Sequence, residues 1–165
     1  MISIRIEAGK RIARFYRGRG AAVNIKRPYS VPEHSTSADA ALVLIRVVAG
    51  LAFTIHGWGK IQNPFSWMGP EGFAPGIFQA LAAISEFAGG LAWILGILTP
   101  LASFGIASTM AVAFSFHAFM RGDPFVSMTG GPAFELAALC FSLAVLLLVG
   151  GPGRFSLDRK LFGPR

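Results

Sequence analysis

Four long apolar stretches constrain this chain more than any other feature of its sequence. Each holds about 18 to 23 residues, and at about 1.5 Å per residue such a helix matches a hydrocarbon core of about 30 Å. None shows the polar stripe at the helical period that a water-soluble bundle requires. We therefore predict an all-α fold, an integral membrane four-helix bundle. Its helices are predicted at Ala38 to His56, Gly76 to Leu98, Leu101 to Met120 and Ala133 to Gly150.

Charged residues are concentrated at the two ends of the chain. They make up 14% of the 165 residues, against about 25% in an average soluble domain. Only eight lie between positions 38 and 150, whereas residues 1 to 37 hold eight Lys/Arg and residues 151 to 165 hold four. We divide the chain into a basic N-terminal arm (1–37), a membrane domain (38–150) and a basic C-terminal tail (151–165). A disordered arm is expected, with a short amphipathic helix on the membrane surface as the alternative.

The charge distribution also predicts orientation and partners. Lys/Arg residues accumulate on the cytoplasmic side of membrane helices, and each longer loop carries one charge of each sign, Lys60 with Glu71 and Arg121 with Asp123. We expect a multi-pass protein of the cytoplasmic membrane with both termini in the cytoplasm and the lipid bilayer as its partner. Because the basic residues lie in the tails rather than on a folded face, nucleic acid is not an expected partner.

Isolated ionisable residues within the apolar stretches are the candidates for function. Each costs about 2.5 to 3.5 kcal/mol in a membrane helix, so each needs a polar partner or a wet cavity. Arg46 and Glu86 are expected to pair in the middle of the membrane. Their pair has two interpretations: a structural clamp between helices, or a site where Glu86 moves protons or holds a ligand.

A second group of candidates lies near the outer ends of the predicted helices. His56, His117 and Glu135 are expected at one membrane level, where they would form a pocket that binds a ligand or exchanges protons. Lys60, in the first of the longer loops, is a further candidate. Three separate interfacial side chains are the alternative. Both histidines follow a Phe, a hydroxyl residue and an apolar residue, which suggests two repeated helical hairpins, with coincidence as the alternative.

Other cofactor classes find little support in the sequence. The chain has no HxxH, HExxH or CxxCH spacing, so neither a metal site nor haem is expected. Its single cysteine, Cys140, excludes an intramolecular disulfide and a CxxC redox pair. No GxGxxG, Walker or GxSxG motif is present, so no motif indicates nucleotide binding or a hydrolase.

Several short motifs follow one another along the chain. They are Arg46-x3-Gly50, His56-Gly57-x-Gly59-Lys60, Glu86-x2-Gly89-Gly90-x5-Gly96-x2-Thr99, the later His117 and Glu135, and Gly151-Pro152-Gly153-Arg154-Phe155-Ser156-Leu157-Asp158. Their order and spacing resemble the DoxX family of small four-helix membrane proteins, and the match covers about residues 40 to 160.

The resemblance implies a bacterial or archaeal membrane protein associated with redox chemistry, with a quinone as the implied cofactor. Our leading hypothesis is a membrane subunit of an oxidoreductase system that binds a quinone or small redox substrate in the outer polar pocket. Such a subunit would work with a redox partner protein or as a homo-oligomer. The alternative is a non-enzymatic membrane scaffold or a small-solute permease.

Overall fold

The computed structural model describes residues 27 to 164, and this part of the chain is helical throughout its regular structure. The helix that begins at Thr99 continues without a break into a π-helical segment, Phe116–Arg121. The all-α prediction is confirmed, and residues 1 to 26, most of the predicted arm, lie outside the described range. The helices are α1 (Thr36–Ile61), α2 (Gly76–Leu95), α3 (Thr99–Ser115), α4 (Glu135–Gly150) and the short α5 (Leu157–Phe162).

The helix lengths separate three membrane spans from a shorter fourth helix. By length and composition, α1 with 26 residues, α2 with 20, and α3 together with its π-helical extension with 23 can each cross a membrane. The fourth apolar stretch forms α4, which has only 16 residues. At about 1.5 Å per residue, α4 measures about 24 Å and is shorter than a hydrocarbon core of about 30 Å.

Local sequence explains where the helices begin and end. The Ser35 hydroxyl accepts a hydrogen bond from the N–H of Ala38 and so caps α1. Gly96 ends α2 in the left-handed conformation, with φ of 64°, which glycine adopts without steric cost. Pro100 lies in the first turn of α3, where its missing N–H is tolerated. The short connection between these elements makes α2 and α3 antiparallel neighbours.

Close backbone contact between α1 and α2 depends on glycine. A Cβ added to Gly50 would lie 2.7 Å from the carbonyl oxygen of Gly90, and one added to Gly90 would lie 2.6 Å from the carbonyl oxygen of Gly50. A Cβ on Gly57 would collide with the backbone of Phe87. Small residues allow such contact where lipid provides no hydrophobic drive for helix association. The register of the two helices is therefore set by these glycines.

Trp93 on α2 lies at the centre of a core to which all four long helices contribute. Its indole is fully buried, lies edge-on to Phe53 at 5.5 Å between ring centroids, and donates a hydrogen bond from Nε1 to the hydroxyl of Ser103 at 3.0 Å. Helix α1 packs on α2, α2 on α3, and α3 on α4. Whether the two hairpins are repeats of each other stays a prediction. The core residues are Leu42, Phe53, Trp93, Ile106, Ala107, Ala144 and Leu147.

Both ends of the described chain meet at one end of the bundle, which we call the terminal end. The N–H of Val31 donates to the carbonyl of Gly163 at 3.0 Å. The opposite end, formed by residues 62 to 75 and 116 to 134, we call the loop end. We predict residues 151 to 165 as a basic tail; in the structure the described part, residues 151 to 164, packs against the bundle, with Pro152 and Asp158 buried.

Candidate functional site

Lys60 and Glu86 form an ion pair inside the bundle, toward the loop end. The ammonium nitrogen of Lys60 lies 2.6 Å from each carboxylate oxygen of Glu86. Glu86 is only 2% exposed, whereas the side chain of Lys60 is 25% exposed. The glycine contact between Gly57 and Phe87 explains the pairing, because it places the last turn of α1 directly beside Glu86.

The first loop, residues 62 to 75, covers this ion pair. The indole of Trp67 lies 4.5 Å from the Lys60 ammonium, a distance suited to a cation–π interaction. Buried Gln79 holds the loop in place: its carbonyl accepts from Trp67 Nε1 at 2.8 Å and its side-chain oxygen accepts from the N–H of Met68 at 3.0 Å. Its amide also donates to the carbonyl of Ala74 at 2.8 Å. These hydrogen bonds therefore hold the loop in a defined conformation over the ion pair.

An apolar groove of about 270 Å³ adjoins the first loop. Phe73 stacks on Phe116 with ring centroids 4.5 Å apart and an angle of 11° between the ring planes. The residue before Phe73 is Gly72, and a Cβ placed there would lie 3.4 Å from the amide nitrogen of Gln79. The groove is thus lined in part by Phe73, a residue of the same loop that covers the ion pair. The groove is lined by Phe73, Ala111, Val112, Ser115, Phe116 and Met120.

Arg46 does not pair with Glu86, so the predicted mid-membrane ion pair is wrong. The buried Arg46 guanidinium donates instead to the carbonyls of Trp93 at 3.0 Å, Pro152 at 2.5 Å and Phe155 at 3.1 Å. The physical reason is the helix register. A Cβ on Gly50 would also meet Ile94, so Arg46, one turn earlier, lies near the end of α2, about 12 Å or more along that helix from Glu86.

Two buried carboxylates complete the polar structure at the terminal end. Asp39 accepts from the backbone N–H of Arg154 at 2.9 Å and from its Nε at 2.6 Å. Asp158 accepts from the N–H groups of Leu98 and Thr99 at 2.7 and 2.8 Å. These contacts join the C-terminal segment to α1 and to the start of α3. We assign this cluster a structural role.

The other predicted site residues are not brought together by hydrogen bonds. His56 is exposed and its Nδ1 contacts the carbonyl of Ala52 in its own helix at 2.9 Å. His117, in the π-helical segment, contacts Asp123 through Nδ1 at 2.6 Å. Glu135 begins α4. Within residues 27 to 164 no group of three His, Cys, Asp or Glu is arranged to hold a metal ion.

Some residues of the site carry no clear signal in the sequence. Lys60 and Glu86 are each candidates on their own, but their pairing depends on the contact of Gly50 with Gly90. Trp67 suits an interfacial aromatic belt and gives no sign that it covers an ion pair. A serine followed by an acidic residue in the first turn, as in Ser156 and Asp158, is typical of a helix N-terminus, yet the carboxylate of Asp158 caps a different helix.

The fold and the buried charges define a multi-pass helical membrane protein. The DoxX family model matches residues 41–118, and the chain belongs to this family. The inner membrane protein YqjF of Escherichia coli is 32% identical over 130 residues, which is 74% of this chain and 93% of that protein.

Two further relatives have similar coverage. An uncharacterised protein of Haemophilus influenzae is 32% identical over 123 residues, 73% of this chain and 90% of the relative. An uncharacterised membrane protein of Mycobacterium tuberculosis is 30% identical over 135 residues, 73% of this chain and 81% of the relative. No solved structure matches the chain.

Proposed function

We propose that this protein is the membrane subunit of a quinone-linked oxidoreductase system, with the Lys60–Glu86 pair as its ligand-binding and proton-exchanging centre. One observation carries the proposal: a carboxylate that is 2% exposed in a membrane helix is paired with a lysine that is 25% exposed at the loop end. Intramembrane carboxylates of this kind are costly and mark proton or ligand pathways. The association with quinones is what the DoxX resemblance implies.

The residues around the ion pair fit a quinone. Such a molecule presents carbonyl oxygens on a flat ring, so it needs a hydrogen-bond donor beside an apolar aromatic wall. Lys60 has three N–H donors, Trp67 lies over its ammonium, and Phe73 and Phe116 line the adjoining groove. The groove volume of about 270 Å³ is close to the lower end of ligand pockets, about 300 Å³. When bound, a quinone accepts two electrons and two protons.

Each side chain then has a defined task. Lys60 donates a hydrogen bond to a ligand oxygen and exchanges protons with water at the loop end through its exposed part. Glu86 balances the ammonium charge, which lowers the cost of burying either charge alone. Trp67 and Gln79 hold the first loop over the pair and limit the access of water. The chain has no CxxC pair or nucleotide motif, and the proposal assigns the electron-carrying centres to a partner protein.

Co-purifying quinone tests the proposal. The full chain is extracted in mild detergent, and quinone per protein is measured by mass spectrometry of an organic extract. We expect Glu86→Gln and Lys60→Met to retain at least five-fold less quinone than the wild type. The control Glu71→Gln, which changes an exposed carboxylate of the first loop, should retain the wild-type amount.

Fluorescence provides a second measurement on the same preparations. A short-chain quinone titrated into nanodiscs should quench tryptophan emission in the wild type and in Trp58→Phe, and should lose most of this quenching in Trp67→Phe. Equal quinone retention by wild type and Glu86→Gln would refute the proposal. Solute flux in proteoliposomes without quinone binding would instead support the permease alternative.

We also propose that the terminal end faces the cytoplasm. The tails hold twelve Lys/Arg, eight in residues 1 to 37 and four in residues 151 to 165, and such an excess marks the cytoplasmic side. The site beneath the first loop then faces the outer side of an inner membrane, the location named for the Escherichia coli relative.

A further inference from the structure

We propose that the second loop, residues 122 to 134, is inserted among the phospholipids of the leaflet at the loop end, beyond the start of the short fourth helix. The first argument is helix length. Helix α1 has 26 residues and α4 has 16, about 39 and 24 Å respectively. The two helices are level at the terminal end, where His34 Nε2 contacts the carbonyl of Gly150 at 2.8 Å. The start of α4 therefore lies about 15 Å below the loop end of α1.

The second loop occupies the level that α4 does not reach. The N–H of Glu135 donates to the carbonyl of Phe125 at 3.0 Å, and the N–H of Phe134 donates to the carbonyl of Pro124 at 3.3 Å. The ring of Phe134 packs edge-on against Phe114 of α3 at 5.1 Å and lies 5.3 Å from Phe125. The loop is thus folded onto the ends of α3 and α4 and continues the bundle at this side.

The outer surface of this loop is apolar. Phe125 is 55% exposed, Val126 43% and Met128 92%. The hydrogen bond from the N–H of Glu135 to the carbonyl of Phe125 places this surface next to the start of α4, where Leu136 and Leu139 are each 61% exposed. Exposed apolar side chains grouped in this way on a water-facing loop are unfavourable. Because this surface lies next to the lipid-facing side of a membrane helix, phospholipid is the occupant that it fits.

The charges of the segment do not oppose insertion. Asp123 is the single charged residue of the loop, and it is neutralised by Arg121, whose Nε lies 3.1 Å from its carboxylate. Irregular backbone is excluded from the lipid-exposed hydrocarbon core because its polar groups find no water there. The loop therefore lies at the boundary between headgroups and acyl chains, where apolar side chains insert and the backbone stays hydrated.

Quenching by labelled lipids tests the insertion. Cysteine is introduced by Met128→Cys in a Cys140→Ser background, labelled with an environment-sensitive fluorophore and reconstituted in liposomes of phosphatidylcholine and phosphatidylglycerol. The matched control is Glu71→Cys in the exposed part of the first loop. We expect doxyl-labelled lipid to quench the position 128 probe at least two-fold more than the control, and aqueous iodide to quench it at least two-fold less.

Two results would overturn the proposal. Iodide quenching at position 128 equal to that at position 71 would place the loop in water. Protection from both iodide and doxyl lipid would show that protein, a second copy of the chain or another partner, covers the surface. Val126→Cys provides a second labelling position, so that failure of one variant to fold does not leave the question open. Neither outcome depends on whether the protein binds a quinone.

Discussion

The carboxylate of Asp158 caps a helix that begins about sixty residues earlier in the chain, and removing this carboxylate tests the contact between the two segments. Helix α3 starts at Thr99 after Leu98, which offers no side-chain cap and has a positive φ of 47°. Asp158 is fully buried and accepts the N–H groups of both residues. Asp158→Ala therefore removes the cap of α3.

The expected magnitude follows from these contacts. Hydrogen bonds to charged groups contribute about 1.5 to 3 kcal/mol each, and a carboxylate at a helix N-terminus adds about 0.3 to 2 kcal/mol through the helix dipole. Because water can enter the space that the shorter side chain leaves, we expect Asp158→Ala to lower the free energy of unfolding by about 3 to 5 kcal/mol. For a chain of this size, each kcal/mol shifts Tm by about 2 to 4 °C, so the fall should be roughly 10 °C.

Thermal unfolding of the purified protein in detergent measures this effect. Asp158→Asn keeps one acceptor oxygen and should fall between the wild type and Asp158→Ala. The matched control is Glu33→Ala at the same end. The Glu33 carboxylate is exposed and lies 3.4 Å from Arg159. This variant should change Tm by less than about 2 °C. A similarly small change for Asp158→Ala would refute the cap.

Three further predictions concern helix contact, charge pairing and topology. Gly90→Ala should destabilise the protein by about 1 to 3 kcal/mol through overpacking, whereas Gly59→Ala, whose added Cβ meets no atom within 4 Å, should have little effect on Tm. Lys60→Met alone should lower the free energy of unfolding by about 3 to 5 kcal/mol because it leaves the Glu86 charge buried. The double variant with Glu86→Gln should lose clearly less stability than the sum of the two single changes. Additive losses in Tm would argue against the pair. A reporter fused after the last residue should be active only in the cytoplasm, and activity on the outer side would reverse the proposed orientation.

The sequence by itself determined the class of protein and the position of its helices. The apolar stretches are nearly free of charge and about as long as a bilayer is thick. In lipid, such stretches satisfy their backbone hydrogen bonds by forming helices. Local signals such as Ser35 before α1 and Gly96 after α2 also act within a few residues, so they are visible without a fold. The glycine-rich motifs are sufficient to suggest the DoxX family.

Only the tertiary structure decided which charges meet. Arg46 and Glu86 both need partners, and the sequence offers each several. The backbone contact between Gly50 and Gly90 sets the register of α1 against α2, and this register brings Lys60 to Glu86 and carries Arg46 to the terminal end. The sequence predicts a basic tail for the C-terminal segment because the partners of its buried Asp158 lie about sixty residues away in the chain. Partner choice inside a membrane depends on helix register and depth, and both arise from packing between segments that are distant in the chain.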